Sequence, residues 1–303
     1  MAQLVDRQGG VFTRDQALAV CSPAQVRSAL RRGLWRRTPW SGLYVDGEMP
    51  DDIPTLVRAA SLWLGGDLVA CHSTAAHLWG FDIQRPAVTR SRLHFLGPAD
   101  LDNRLFHGIR VHPSSLGTDD AVLRSGVWCT PPDRTACDVA RLGLPIDALA
   151  WLDRALRTER CSPDRLREVR TRMRGLRGVE RLDSLLPVAD GRSESEMESR
   201  MRWRFIAAGL PAPTLQVKVG NSWRWHRLDM AWEDLLLAAE FDGVEAHMTP
   251  QQLAADRARH NWLTERRWML LHFTGGDVYR RHELMVETVR RQMRRQRAVI
   301  MAS

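Results

Sequence analysis

Apolar and polar positions alternate along the chain in a way that predicts short helices first. Thr13 is placed to cap a helix running through Val20, and Ser22-Pro23 opens a second, with Ser22 as cap and proline at its first position. Val26, Ala29 and Leu30 recur at helical spacing, Gln25, Arg27, Ser28, Arg31 and Arg32 project outward, and Gly33 stops the helix. LWRRTPWSGLYV then reads as a hairpin turning near Pro39 and Gly42. Helix, tight turn, basic helix and basic hairpin follow one another as in a winged helix-turn-helix, whose second helix enters the major groove while the wing touches phosphate. Residues 1–48 are read as that DNA-binding segment. Its candidate contacts are Gln25, Arg27, Ser28, Arg31 and Arg32 on the helix and Arg36 and Arg37 on the hairpin.

Residues 49–190 form a mixed α+β middle region. Two apolar helical stretches flank Gly65-Gly66, SRLHFLG and GIRVHP read as short strands, and TPPDRTACDVARL opens a helix with Thr130 as cap and Asp133 three residues on. Residues 162–191 are helical and arginine-dense, ending in PVADGRSE, a boundary before a last segment, 191–303. There a helix from Glu196 to Ala208, capped by Ser193 or Ser195, precedes TLQVKV. Strict alternation puts Leu215, Val217 and Val219 on one face, Gln216 and Lys218 on the other.

LDMAWEDLLLAAEFDG sets three acids among apolar residues. Two antiparallel strands joined at Glu233-Asp234 would pair Trp232 with Leu235 and Asp229 with Ala238. Asp229, Glu240 and Asp242 then share a face, with Glu240 diagonal to Asp229 at about 7 to 8 Å. Leu228, Met230, Trp232, Leu235, Leu237, Ala239 and Phe241 make the core face. Converging half-buried carboxylates repel and lose solvation, and a hard divalent ion, Mg²⁺ or Mn²⁺, is the simplest remedy. After the hairpin, Thr249 caps an amphipathic helix with Leu253, Ala254 and Leu263 inward, WMLLHFT is a strand, and Asp277 starts a final helix.

Net charge is +8 and the isoelectric point near 10.1. Lys218 is the single lysine among 44 basic residues. Arginine in this surplus suits a polyanionic partner, because it grips phosphate with two donors and releases counterions. The five cysteines contain no CxxC pair, which argues against a disulfide framework and a zinc site. His72, His77, His94, His107 and His112 show no pair at helical ligand spacing with a carboxylate partner, so no metal is expected there. No run of about eighteen apolar residues appears and Met1 to Gly10 lacks an apolar leader, so neither a membrane partner nor secretion is predicted and the cytoplasm is expected.

Helix, three strands, helix, strand, helix, with acids on the second and third strands, resembles the restriction-endonuclease-like PD-(D/E)XK core. LQVKV, RLDMAW, LLLAAEFDG, DRARHNWLTERRWMLLHFT and GDV resemble, more closely, the DUF559 branch and its very short patch repair (Vsr-like) endonuclease relatives. The resemblance implies a metal-dependent endonuclease hydrolysing DNA phosphodiesters. Asp229 and Glu240 would hold Mg²⁺ or Mn²⁺ with Asp242, Glu198 would be a helical acid nearby, Gln216 a polar neighbour, and His247 or Lys218 an accessory group. Asp242 stands where many of these nucleases have lysine, which puts the mechanism in question more than the fold. GVFTRDQA, the Ser22 helix, GLYV, STAAHLWG and PPDRTACDVARL resemble winged-helix antitoxins of the AbiEi type. That resemblance implies, as the alternative, a repressor or antitoxin with a degenerate nuclease fold and a cognate toxin; a repair partner would go with the nuclease.

Overall fold

The computed structural model describes residues 8–65, 68–83, 92–97, 108–113, 121–243 and 249–302. The fold class is α+β, and the chain divides into two compact units, Met1–Val139 and Ala140–Ser303. No helix among the described residues is long and apolar enough to cross a membrane.

In the first unit, β1 (Val11–Thr13) leads into α1 (Arg14–Leu18), followed by α2 (Pro23–Arg31), β2 (Trp35–Arg37) and β3 (Leu43–Asp46). Thr13 and Ser22 both make reciprocal caps: each hydroxyl accepts an N–H three residues on, and the glutamine there, Gln16 or Gln25, accepts from the cap's own N–H. The three strands form an antiparallel sheet in the order β1-β3-β2, with Val11 and Arg36 on either side of Val45. Strand β1 is too short to show in the hydrophobic pattern.

The unit continues with α3 (Ile53–Leu64), β4 (Val69–Ala70), α4 (His72–Trp79), β5 (Leu93–Gly97), β6 (Ile109–Pro113), β7 (Val122–Arg124), β8 (Val127–Cys129) and α5 (Pro132–Leu142). Its second sheet runs β6-β5-β4-β8-β7 and mixes parallel with antiparallel pairs. Val11 and Val45 of the first sheet and Trp40 of the β2–β3 turn bury into the same core as Val57, Phe95, Ile109 and Val111. The small winged segment therefore leans on the apolar mass that follows it, as expected of a stretch too short to bury a core alone.

The second unit holds α6 (Pro145–Arg157), α7 (Pro163–Arg172), α8 (Glu180–Leu185), α9 (Glu196–Ala207), β9 (Thr214–Gly220), β10 (Trp225–Trp232), β11 (Leu237–Asp242), α10 (Pro250–Glu265), β12 (Met269–Thr274), α11 (Gly275–Tyr279) and α12 (His282–Ala302). Strands β9, β10 and β11 form an antiparallel meander, and β12 joins β11 in parallel after α10. One apolar layer gathers Phe205 of α9 with Met230, Trp232 and Leu237 of the sheet and Val289 of α12. The opposite face buries Ala231 and Ala238 under Trp262 and Leu263. Helices α6 and α9 are tied by two buried ion pairs, Arg200 Nε to Asp147 at 2.9 Å and Arg202 Nη2 to Asp153 at 2.6 Å. The Pro-Gly-Ser stretch at 187–194 thus lies within this unit.

Three expectations change. Ladder pairs Met230–Ala239 and Trp232–Leu237 shift the hairpin register by two residues, because the turn is a 3₁₀ stretch, Glu233–Leu235, closed by Leu236 at φ +45°. Continuing that register by one step brings Asp229 opposite Glu240 rather than diagonal to it. Strict alternation also fails at one level of the sheet. Leu215 belongs to one apolar layer, while Val217 and Leu228 belong to the other. Gln216, at φ +53°, turns β9 over at that point, opposite Asp229. In α10, Trp262 and Leu263 bury, but Leu253 is 41% exposed and Ala254 is exposed too, so only the C-terminal end of the helix packs.

Candidate functional site

The acids meet where the sheet breaks phase. Asp229 Oδ2 accepts the Phe241 N–H at 3.0 Å, standing in for a backbone acceptor where the β10–β11 ladder ends. Glu240, buried on β11, receives a two-pronged contact from Arg259 of α10, with Nη1 at 2.9 Å from Oε2 and Nη2 on Oε1. The same Nη2 donates to the Arg227 carbonyl at 2.9 Å, so one guanidinium spans β10 and β11. Glu198, buried in the first turn of α9, accepts from the Glu194 N–H at 3.0 Å and from Gln216 Nε2 at 3.1 Å.

Asp242 lies exposed at the end of β11, and His272 of β12 approaches it at 3.1 Å and Glu240 at 4.0 Å. His247 lies outside the described residues. Lys218 is exposed with its ammonium 4.9 Å from the Trp225 ring.

Burial pushes the Asp229 carboxyl up, with the charge of Glu240 adding to this and the Phe241 N–H opposing it. Burial likewise raises Glu198, and Asp229 adds to it. The site is therefore a chain of acids, Glu198, Asp229 and Glu240, with Arg259 as the cation on its best-buried member. Oxygen donors alone suit Mg²⁺ or Mn²⁺. As arranged they do not fit such an ion: both oxygens of Glu240 are on Arg259, and Asp229, Glu240 and Asp242 do not bring ligand atoms within 4.8 Å of one another. Sequence spacing revealed Asp229 and Glu240 but missed Arg259 and His272. Nineteen residues separate Arg259 from its partner, and only the packing of α10 over the sheet joins them.

A second feature is basic. In α2, Gln25, Arg27, Arg31 and Arg32 are exposed and Ser28 is half-exposed, while Val26 seats the helix. Arg37 is exposed; Arg36 is half-buried and donates to the Met49 carbonyl, which makes it a brace of the wing. In the second unit the β9–β10 turn exposes Trp223 at 93%, and Arg224 and Arg266 stack on Trp262 at 5.3 and 3.6 Å. Aromatic faces interleaved with arginine suit nucleic-acid bases and phosphates. The sequence reading missed this surface; the signal that carries it is the aromatic-basic run NSWRWHR.

Residues 68–188 match the family model described as the AbiEi antitoxin C-terminal domain. Over 259 residues the chain is 37% identical to two proteins of Mycobacterium tuberculosis strains, each described as uncharacterized, MT2308 and Rv2248, covering 85% of this chain and 92% of each relative. Among solved structures, the crystal structure of the RV2827C protein from Mycobacterium tuberculosis aligns with a TM-score of 0.42 at 17% identity, over 71% of this chain and 82% of that one. That likeness is too slight to assign a fold or a role.

Proposed function

The chain belongs to the family of the Mycobacterium tuberculosis protein Rv2248, and from that premise we propose that it is a DNA-binding regulator of the AbiEi antitoxin kind. The observation that carries this reading is the antitoxin-domain match at residues 68–188. In this reading residues 1–48 contact DNA through Gln25, Arg27, Ser28, Arg31, Arg32 and Arg37, and residues 49–190 form the antitoxin-type middle. Residues 191–303 keep a DUF559-like, Vsr-related frame whose acidic centre is neutralised by Arg259. The charge of +8 and the exposed arginines of α2 support a DNA partner. A regulator of this class implies a cognate toxin as its protein partner.

Arg259 is the reason to prefer a silent centre. A buried carboxylate held by a two-pronged guanidinium is already neutralised and hydrogen-bonded, so no metal is needed to hold the sheet together there. One specific observation favours the second reading, a Mg²⁺- or Mn²⁺-dependent endodeoxyribonuclease. Asp229 and Glu198 sit beside Glu240 with carboxyls pushed up by burial, the state that a divalent ion would relieve.

Supercoiled plasmid incubated with the purified chain in Mg²⁺, Mn²⁺ or EDTA separates the two. The regulator reading expects intact plasmid under all three conditions, together with salt-sensitive DNA binding. Metal-dependent nicking that disappears in the Asp229→Ala/Glu240→Ala variant would replace it with the nuclease reading.

A further inference from the structure

His72, His94 and His112 stand on different elements, α4, β5 and β6, so no single helix could present them to a metal. The fold instead gathers them from three segments. Strand β4 ends at Ala70, and His72, the first residue of α4, has φ +48°, a conformation few non-glycine residues adopt. The Cys71 N–H donates to the His94 carbonyl at 2.9 Å, and the His94 N–H donates to Thr74 Oγ1 at 2.8 Å, which together hold β5 against this turn. Strands β5 and β6 run parallel with His94 beside Arg110 and Leu96 beside His112, so the two histidines share a sheet face two steps apart.

On that face His94 Nδ1 lies 2.9 Å from His112 Nε2, and the His72 ring centre is 4.3 Å from that of His112. Ligand atoms of Cys71, His72 and His112 all lie within 4.8 Å of one another, the one such grouping of His, Cys and acidic residues among the described residues. Cys71 is fully buried beside Val69 and Leu96, which shield one side of the cluster.

We propose that Cys71, His72 and His112 form a binding site for a zinc-class divalent transition ion, with His94 as the hydrogen-bonded partner that fixes the His112 tautomer. One thiolate and two imidazoles are a soft sulfur-nitrogen set that selects zinc over magnesium. Bonds of about 2.3 Å to sulfur and about 2.0 Å to nitrogen require tetrahedral ligand atoms roughly 3.5 Å apart, so atoms that now lie within 4.8 Å of one another would draw together as the ion binds. On binding, the Cys71 thiol gives its proton to solvent as the sulfur–metal bond forms. Histidine hydrogen-bonded through its second nitrogen is the usual outer support of such a ligand. The ion would pin the β4–α4 junction to β5 and β6. The site is independent of the acidic centre and of the DNA-binding reading.

The test uses the full chain, stripped of metal and titrated with Co²⁺. Expected are a sulfur-to-cobalt charge-transfer band, intense visible bands of tetrahedral geometry, saturation at one ion per chain, and displacement by Zn²⁺. Cys71→Ala should lose the charge-transfer band, and His112→Ala should lose tight binding, with circular dichroism checking that each variant folds. No bound cobalt, cobalt without the thiolate band, or the same spectrum and stoichiometry in both folded variants would overturn the proposal. Should neither variant fold, the wild-type band and its one-to-one endpoint decide alone.

Discussion

Arg259 bears most of the electrostatic load at the acidic centre. Glu240 keeps 8% of its side chain exposed and Arg259 21%, so the pair is largely desolvated and removing the cation leaves a buried charge without its counterion. Arg259→Met is expected to lower stability by about 2 kcal/mol, less than for a fully buried pair. Glu240→Gln in the same background should recover part of that loss in a urea denaturation series. An unchanged denaturation midpoint in Arg259→Met would mean that the guanidinium does not neutralise the site.

Asp229 and Glu198 give the centre a pH signature. Both carboxyls are raised by burial, so between the ordinary range near about 4 and their folded values the native state binds more protons than the unfolded chain. Their contribution to stability is greatest on the acid side and declines as pH rises through that interval. The Asp229→Asn/Glu198→Gln variant should therefore gain on the wild type as pH increases, and thermal midpoints from about pH 5 to about pH 7.5 measure it. A constant difference between the two proteins across that range would contradict the raised values.

At the level of elements, α6 and α9 depend on each other. Arg200 and Arg202 are 2% and 3% exposed, and their carboxylate partners stand on α6. Arg202→Met should cost about 3 to 5 kcal/mol by stranding Asp153. A fragment beginning at residue 191 should fail to give a cooperative unfolding transition, since both arginines would lose their acids. A fragment beginning at 140 should give one; equal cooperativity in the two fragments would show that the ion pairs are dispensable. Turn-forming residues at Pro187–Glu194 mark a local break in the chain, whereas the pairing of Asp147 and Asp153 with α9 spans about fifty positions and leaves no local signal.

Helix starts were legible because caps are local, as Thr13, Ser22, Ser195 and Thr249 all show. So was the succession of strands and helices along the second unit, since alternation and turn residues lie within each segment; the parallel pairing of β12 with β11 was not. The register of β10 against β11 was not, because it depends on the left-handed residue Leu236. Nor was the phase break at Gln216, which period-two counting assumes away. The acids could be read from spacing, but what faces them is set by the packing of α10.

Across the whole molecule, two sets of arginines have different roles. Arg200 and Arg202 of α9 and Arg259 of α10 are spent on internal carboxylates, while Arg27 and Arg31 of α2 face solvent. DNA affinity should therefore follow the second set. The most direct measurement is a fluorescence anisotropy titration, at several salt concentrations, of the intact chain against duplex DNA from upstream of its own gene, with Arg27→Ala/Arg31→Ala and Asp229→Ala/Glu240→Ala alongside. A DNA-binding regulator predicts steeply salt-dependent binding that the first variant weakens at least tenfold and the second leaves unchanged. Binding that is indifferent to salt, or that survives loss of Arg27 and Arg31 undiminished, would contradict it.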